Sequence, residues 1–246
     1  MRFLLFIFIS FLIFSCEKDK PLPAAVELDY LTVNLQPFYG VDSLYLDSSY
    51  ITSEGYKVKF TDIRCFFTNI KNGDSTLNQA SLYDFRETGR FLFRSQGNPI
   101  DYSSLSTLVG VDSSLNHSDP SAFPNESVLN ISNAGTMHWG WNPGYIFISV
   151  EGKVDTISSA SSTFDKNFTF HVGTDSYLGS KIFSSINWQT LEDHEYYFDL
   201  KLNMQTFLNS SNYQIDLSNE FITHSASGQE TLTNKAFSNF IESISQ

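Results

Sequence analysis

The sequence has little of several things, and each shortage excludes something. It holds two cysteines, Cys16 and Cys65, so a disulfide framework of the kind that staples small secreted domains is out of reach. It is poor in positive charge: 15 Lys and Arg stand against 27 Asp and Glu, for a net charge of −12. Binding to nucleic acid needs a basic footprint to meet the phosphates, so that partner class is excluded. The acidic balance fits solubility, or attraction of cations. Catalytic signatures are missing too. There is no G-x-S-x-G elbow, no phosphate-cradling or dinucleotide glycine loop, and no H-E-x-x-H or close histidine pair. Glu192 and Asp193 precede His194, but adjacent residues of an extended segment point apart. The acidic loop from Asp42 to Asp47 lacks the spacing of a calcium-binding EF-hand. These absences predict a protein that is not an enzyme.

Long apolar runs are also scarce. The one dense example, Phe3 to Phe14, follows Arg2. It falls short of the ~20 residues of a membrane span and has the layout of a secretory signal peptide covering residues 1–15. Ser15 before Cys16, with Ile13 three places ahead of the cysteine, resembles a lipobox. The expectation is cleavage before Cys16 and lipidation of that residue, with residues 16–27 as a polar tether stiffened by Pro21 and Pro23. Loss of the leader removes Arg2 and no acid, so −12 becomes −13. Cys65 is then left alone. It shares a strand face with Ile63 and Phe67, and reads as a small buried hydrophobe or as a metal thiolate.

What the chain has in quantity is aromatic residues in short alternating runs, with 23 Phe and 12 Tyr. Leu31-Val33-Leu35, Tyr56-Val58-Phe60, Phe91-Phe93, Phe168-Phe170-Val172 and Phe198-Leu200-Leu202-Met204 follow period two. Turn signals such as Asn72-Gly73-Asp74 and Gly97-Asn98-Pro99 separate them. The pattern predicts an all-β fold, an antiparallel β-sandwich, as one domain over residues 28–246. One segment breaks period two. Leu232, Ala236, Phe237, Phe240, Ile241 and Ile244 fall at helical spacing, which predicts a short C-terminal amphipathic helix from Glu230, with Ser227 and Glu230 as a capping box.

The stretch hardest to explain by packing alone is Thr136 to Lys153. Met137, His138, Trp139 and Trp141 crowd together, Asn142-Pro143-Gly144 make a turn, and Tyr145 to Val150 read as a buried strand closing at Glu151-Gly152. Of five histidines, His171 lies on the strand face opposite Phe168, Phe170 and Val172. It reads either as a satisfied polar residue or as a metal ligand. His224 lies between an apolar strand, Glu220 to Thr223, and the final helix, where it can approach the same edge. His117 and His194, in polar surroundings, are expected to be exposed.

The pattern M-x-W-x-W-x-x-G-Y-x-F-x-x-x-E-G from Met137 to Gly152 resembles the MbnP-like domain, the methanobactin-associated copper-binding family of bacterial envelopes. Ile63 to Ile70, Val109-Gly110-Val111-Asp112 and Phe168 to Gly173 (F-x-F-H-x-G) are similar to further strands of that family, so the resemblance runs from about Leu31 to Ile244. His138 departs from it, since an aromatic residue commonly fills that place. The resemblance implies a β-sandwich that binds copper in the periplasm, with His171, His224 and His138 as candidate ligands. It also implies that Trp139 or Trp141 is oxidised to kynurenine by a partner di-haem enzyme. An indole N–H donates a hydrogen bond and cannot ligate a metal, whereas kynurenine offers an amine and a carbonyl. The reading is a copper-binding lipoprotein held to a membrane, the outer membrane by preference. The alternative is a metal-free β-sandwich lipoprotein for surface recognition or adhesion, with both tryptophans as packing.

Overall fold

The computed structural model describes residues 27–139, 144–157 and 163–246. The expected leader, Cys16 with nearly all of the tether, and Trp141, Asn142 and Pro143 lie outside the described residues. In chain order the strands are β1 (Tyr30–Tyr39), β2 (Asp42–Ser43), β3 (Tyr50–Ile51), β4 (Lys57–Asn72), β5 (Ser75–Asp84), β6 (Phe91–Gln96) and β7 (Leu105–Val109). They continue as β8 (Ile146–Asp155), β9 (Lys166–Gly173), β10 (Gly179–Phe183), β11 (Gln189–Glu192), β12 (Glu195–Asn203), β13 (Ile222–Thr223) and β14 (Ile244–Ser245). One sheet runs β11-β12-β1-β2, with β6 on β1 and β14 on β12. The other runs β10-β7-β4-β8-β9-β13, with β3 and β5 on β4.

The two sheets make the expected all-β sandwich. Val33, Phe93 and Leu200 of the first meet Phe67, Leu105 and Phe183 of the second around a void of ≈ 10 Å³. That is no more than one water needs, and apart from Thr107 the lining is apolar, so the sheets close on a dry core. The buried apolar residues form one continuous cluster. Among the described residues pairing is antiparallel except at two places. β1 runs parallel to β12 over Tyr30 to Phe38, and β13 parallel to β9. Parallel neighbours cannot be joined by a hairpin, so both pairs bring together segments far apart in sequence.

β4 is the long spine of the second sheet. Its first half pairs with β8 and its second half with β7, while β3 and β5 take the opposite edge in turn. β8 does not close at Glu151-Gly152; it continues to Asp155. Gly152 is there because nothing larger fits. A Cβ would stand 2.2 Å from the Lys59 carbonyl oxygen and from the Phe168 ring. Here glycine lets two neighbours close in and does not end the strand.

The C-terminal helix forms as expected, over Glu230–Ser243. The Ser227–Glu230 capping box does not. Gln229 occupies the N-cap position, and the Glu230 carboxylate accepts from the Gly228 backbone N–H at 2.9 Å. Phe240 is fully buried edge-on to Phe207 of the short helix Met204–Leu208. Burying a side chain of that size stabilises by about 1.5–3 kcal/mol. A buried Thr223–Thr233 hydroxyl contact of 2.6 Å ties β13 to the C-terminal helix. No helix among the described residues is long and apolar enough to cross a membrane.

Candidate metal centre

The alternation of β9 sends Phe168, Phe170 and Val172 into the core and leaves His171 on the outer face. Register then supplies its neighbours. Across β8, His171 is opposite Ser149 and Glu151 is opposite Thr169, so Glu151 is the diagonal neighbour of His171 on one face. Its Oε1 lies 2.8 Å from His171 Nε2. On the other side, Ile222 pairs with Thr169 and Thr223 with Phe170; one residue further, His224 lies beside His171. The two Nδ1 atoms are 3.2 Å apart.

The segment carrying His224 is anchored from three directions. Thr223 bonds to the C-terminal helix, and the Gln229 side chain accepts from the His224 backbone N–H at 2.8 Å. The Ser225 hydroxyl accepts from Gly173 N–H at 3.0 Å and donates to the His171 carbonyl at 3.2 Å. Trp139 roofs the pair, its ring centre 6.1 Å from His171 and 6.4 Å from His224. A Cβ at Gly173 would stand 3.0 Å from Trp139 Nε1 and 2.7 Å from the Tyr145 carbonyl oxygen, so the small residue admits the indole.

The electrostatics fix the chemistry of the pair. The hydrogen bond from His171 is the main cause holding the Glu151 carboxyl below its ordinary range, with the charges of His171 and Arg64 adding to it. An ionised carboxylate only accepts, so the short contact is a hydrogen bond in which Nε2 of His171 donates. Burial, then the His171 charge, push the His224 imidazole below its usual range and favour its neutral form. Two imidazole nitrogens at tetrahedral positions about 2.0 Å from one ion would be about 3.3 Å apart. The observed 3.2 Å fits that bite.

Comparison with known proteins bears on the family and the fold. The profile of the MbnP family matches residues 29–234. The chain belongs to the MbnP family. A solved structure, MbnP from Methylosinus trichosporium, is similar with a TM-score of 0.51 at 15% identity, over 82% of this chain and 84% of that one. At that identity the likeness speaks to the fold. No curated protein matches the chain.

Within this MbnP-family fold the structure brings His171, His224 and Trp139 together and sends His138 elsewhere. His138 is bridged to Tyr145 and meets that ring edge-on at 4.9 Å, while its neighbour Trp139 turns to the histidine pair. Trp141 lies outside the described residues. Cys65 is fully buried, and burial pushes its thiol well up, away from the thiolate a metal would need. His117 and His194 are partly exposed and bound to acids, His117 to Asp175 at 2.9 Å and His194 to Asp29 at 2.8 Å. His117 is nearer the centre than its sequence context implies, since with Trp139 it lines a surface cavity of ≈ 330 Å³. Glu151 was missed by sequence reasoning, which took it for the strand's end. Among the described residues no group of three or more His, Cys, Asp and Glu side chains is arranged around one point. The reason is geometric: Glu151 holds the far nitrogen of His171 and faces away from the His224 side.

Proposed function

We propose that this chain is a lipid-anchored envelope protein that binds copper at the His171–His224 pair and serves in copper capture or handling. The observation that carries the reading is the convergence of the two Nδ1 atoms to 3.2 Å, with the opposite nitrogen of His171 already engaged. Imidazole suits copper in both common oxidation states, and membership of the MbnP family favours copper over other ions that accept imidazole. The net charge of −12 attracts cations.

Two nitrogens do not complete a copper site, and Trp139 stands where a further donor would be useful. A partner di-haem enzyme would oxidise it. With O2 as the oxidant, or two peroxides that leave as two waters, the indole C2–C3 bond is broken and each carbon gains one oxygen, giving the N-formyl derivative; water then cleaves the formyl amide, releasing formate and leaving kynurenine with a free aryl amine. Trp141 remains the second candidate for that modification. The anchor rests on Ser15-Cys16 and places the domain on a membrane facing the periplasm or the cell surface, the outer membrane by preference.

Equilibrium copper titration of protein purified from its native host tests the reading, with peptide mass mapping of Trp139. His171→Ala and His224→Ala should each lose at least tenfold in affinity, and His194→Ala, in the turn before β12, should lose nothing. A wild-type protein that binds no copper would leave the metal-free surface-recognition reading in front.

A further inference from the structure

The outer face of the second sheet carries a polar row across three strands, running from Arg64 on β4 through Glu151 on β8 to His171 on β9. Asp62 pairs across with Glu151, and Arg64 with Ser149. The Arg64 side chain is only 18% exposed; it holds Asp62 at 2.8 Å and donates to the Thr136 hydroxyl at 2.7 Å. Ser149 donates to the same Asp62 carboxylate at 3.1 Å. Thr136 lies three residues before Trp139, in the segment that roofs the histidines.

We propose that Glu151 is a positioning residue that locks His171 in the tautomer whose bare Nδ1 faces His224. This deepens the copper reading and rests on it. A ring with one nitrogen tied to a carboxylate cannot rotate freely or exchange its proton between nitrogens, so the ligand lone pair is aimed before the ion arrives. Carboxylates behind ligating histidines typically contribute ten- to a hundredfold in metal affinity. Glu151 touches no other ring in this set, and its side chain is 36% exposed, so removing it takes nothing from the core.

Two measurements separate this proposal from the reading beneath it. The first is long-range ¹H–¹⁵N correlation NMR of His171 in the metal-free wild-type chain. The proton should sit on Nε2; a proton on Nδ1 with Nε2 bare overturns the proposal whatever the copper result. In Glu151→Ala the two tautomers should mix, and in Glu151→Gln the amide oxygen should restore the Nε2–H form. The second is titration with Cu²⁺. Glu151→Ala should weaken binding about ten- to a hundredfold, and Glu151→Gln should recover most of it. If wild type binds and Glu151→Ala binds equally, the positioning role is refuted and the copper site stands. If wild type binds no copper, the copper reading fails, and the NMR result alone judges the lock.

Discussion

Gly173→Ala puts two opposing effects on one position. Removing a glycine whose backbone an alanine can adopt stabilises by about 0.4–1 kcal/mol, because the unfolded chain loses freedom. The structure sets the other side. The new Cβ would stand 2.7 Å from the Tyr145 carbonyl oxygen and 3.0 Å from Trp139 Nε1. The first contact is with backbone at the start of β8, which is paired to β4 and β9 and cannot swing away as a flexible side chain would. Overpacking of this sort costs typically about 1–3 kcal/mol. The clash wins, and the net loss should be about 1–2 kcal/mol. For a chain of this size each kcal/mol moves Tm by roughly 2–4 °C, so a fall of about 2–8 °C is expected. Urea denaturation followed by tryptophan fluorescence measures the loss and reports the displaced indole at once. An equal or higher stability would refute the reasoning, because it would mean that neither Trp139 nor the Tyr145 carbonyl presses on this strand.

Three further outcomes are expected. Phe240→Ala removes a fully buried ring packed on Phe207 and should cost about 3–5 kcal/mol in urea denaturation; a loss under 1 kcal/mol would show that the C-terminal helix is not part of the core. His194 sits between Asp29 and Glu27, and the hydrogen bond to Asp29 is the main cause that raises its pKa. A raised value means stability that is full below the unfolded pKa of about 6.5 and lost as pH rises through the folded value. The Tm difference between wild type and His194→Asn should therefore be largest at acid pH and vanish at alkaline pH, and a difference independent of pH would refute it. Cys16→Ser should release the protein from membranes and abolish lipid labelling; unchanged membrane association would sink the anchor.

The strands are legible in the sequence wherever one face is buried. Leu31, Val33 and Leu35 alternate because β1 turns that face to the core, and Phe168, Phe170 and Val172 do the same on β9. The same alternation dictates that His171, between Phe170 and Val172, points outward. Glycine misleads at Gly152, where the residue serves close approach and the strand runs on. Serine misleads at Ser227, where the chain enters the helix through Gln229. The parallel pairing of β1 with β12 leaves no local mark, because the two segments lie on either side of most of the chain.

The site divides along the same line. His224 is placeable near His171 from the sequence only as a loop residue free to approach, because its position depends on β13 lying parallel to β9 in one register. A slip of one residue would turn Thr223 outward in its place. His138 lies beside the tryptophans in sequence, which alone makes it a candidate ligand. Adjacent extended residues face opposite ways, so a segment that commits Trp139 to the histidine pair must commit His138 to Tyr145. Glu151 and His171 are a diagonal pair, two residues off the direct register partners, and nothing in either segment alone specifies a diagonal. What a single sequence withholds here is therefore not the identity of the ligand types but the register that decides which of them share a face.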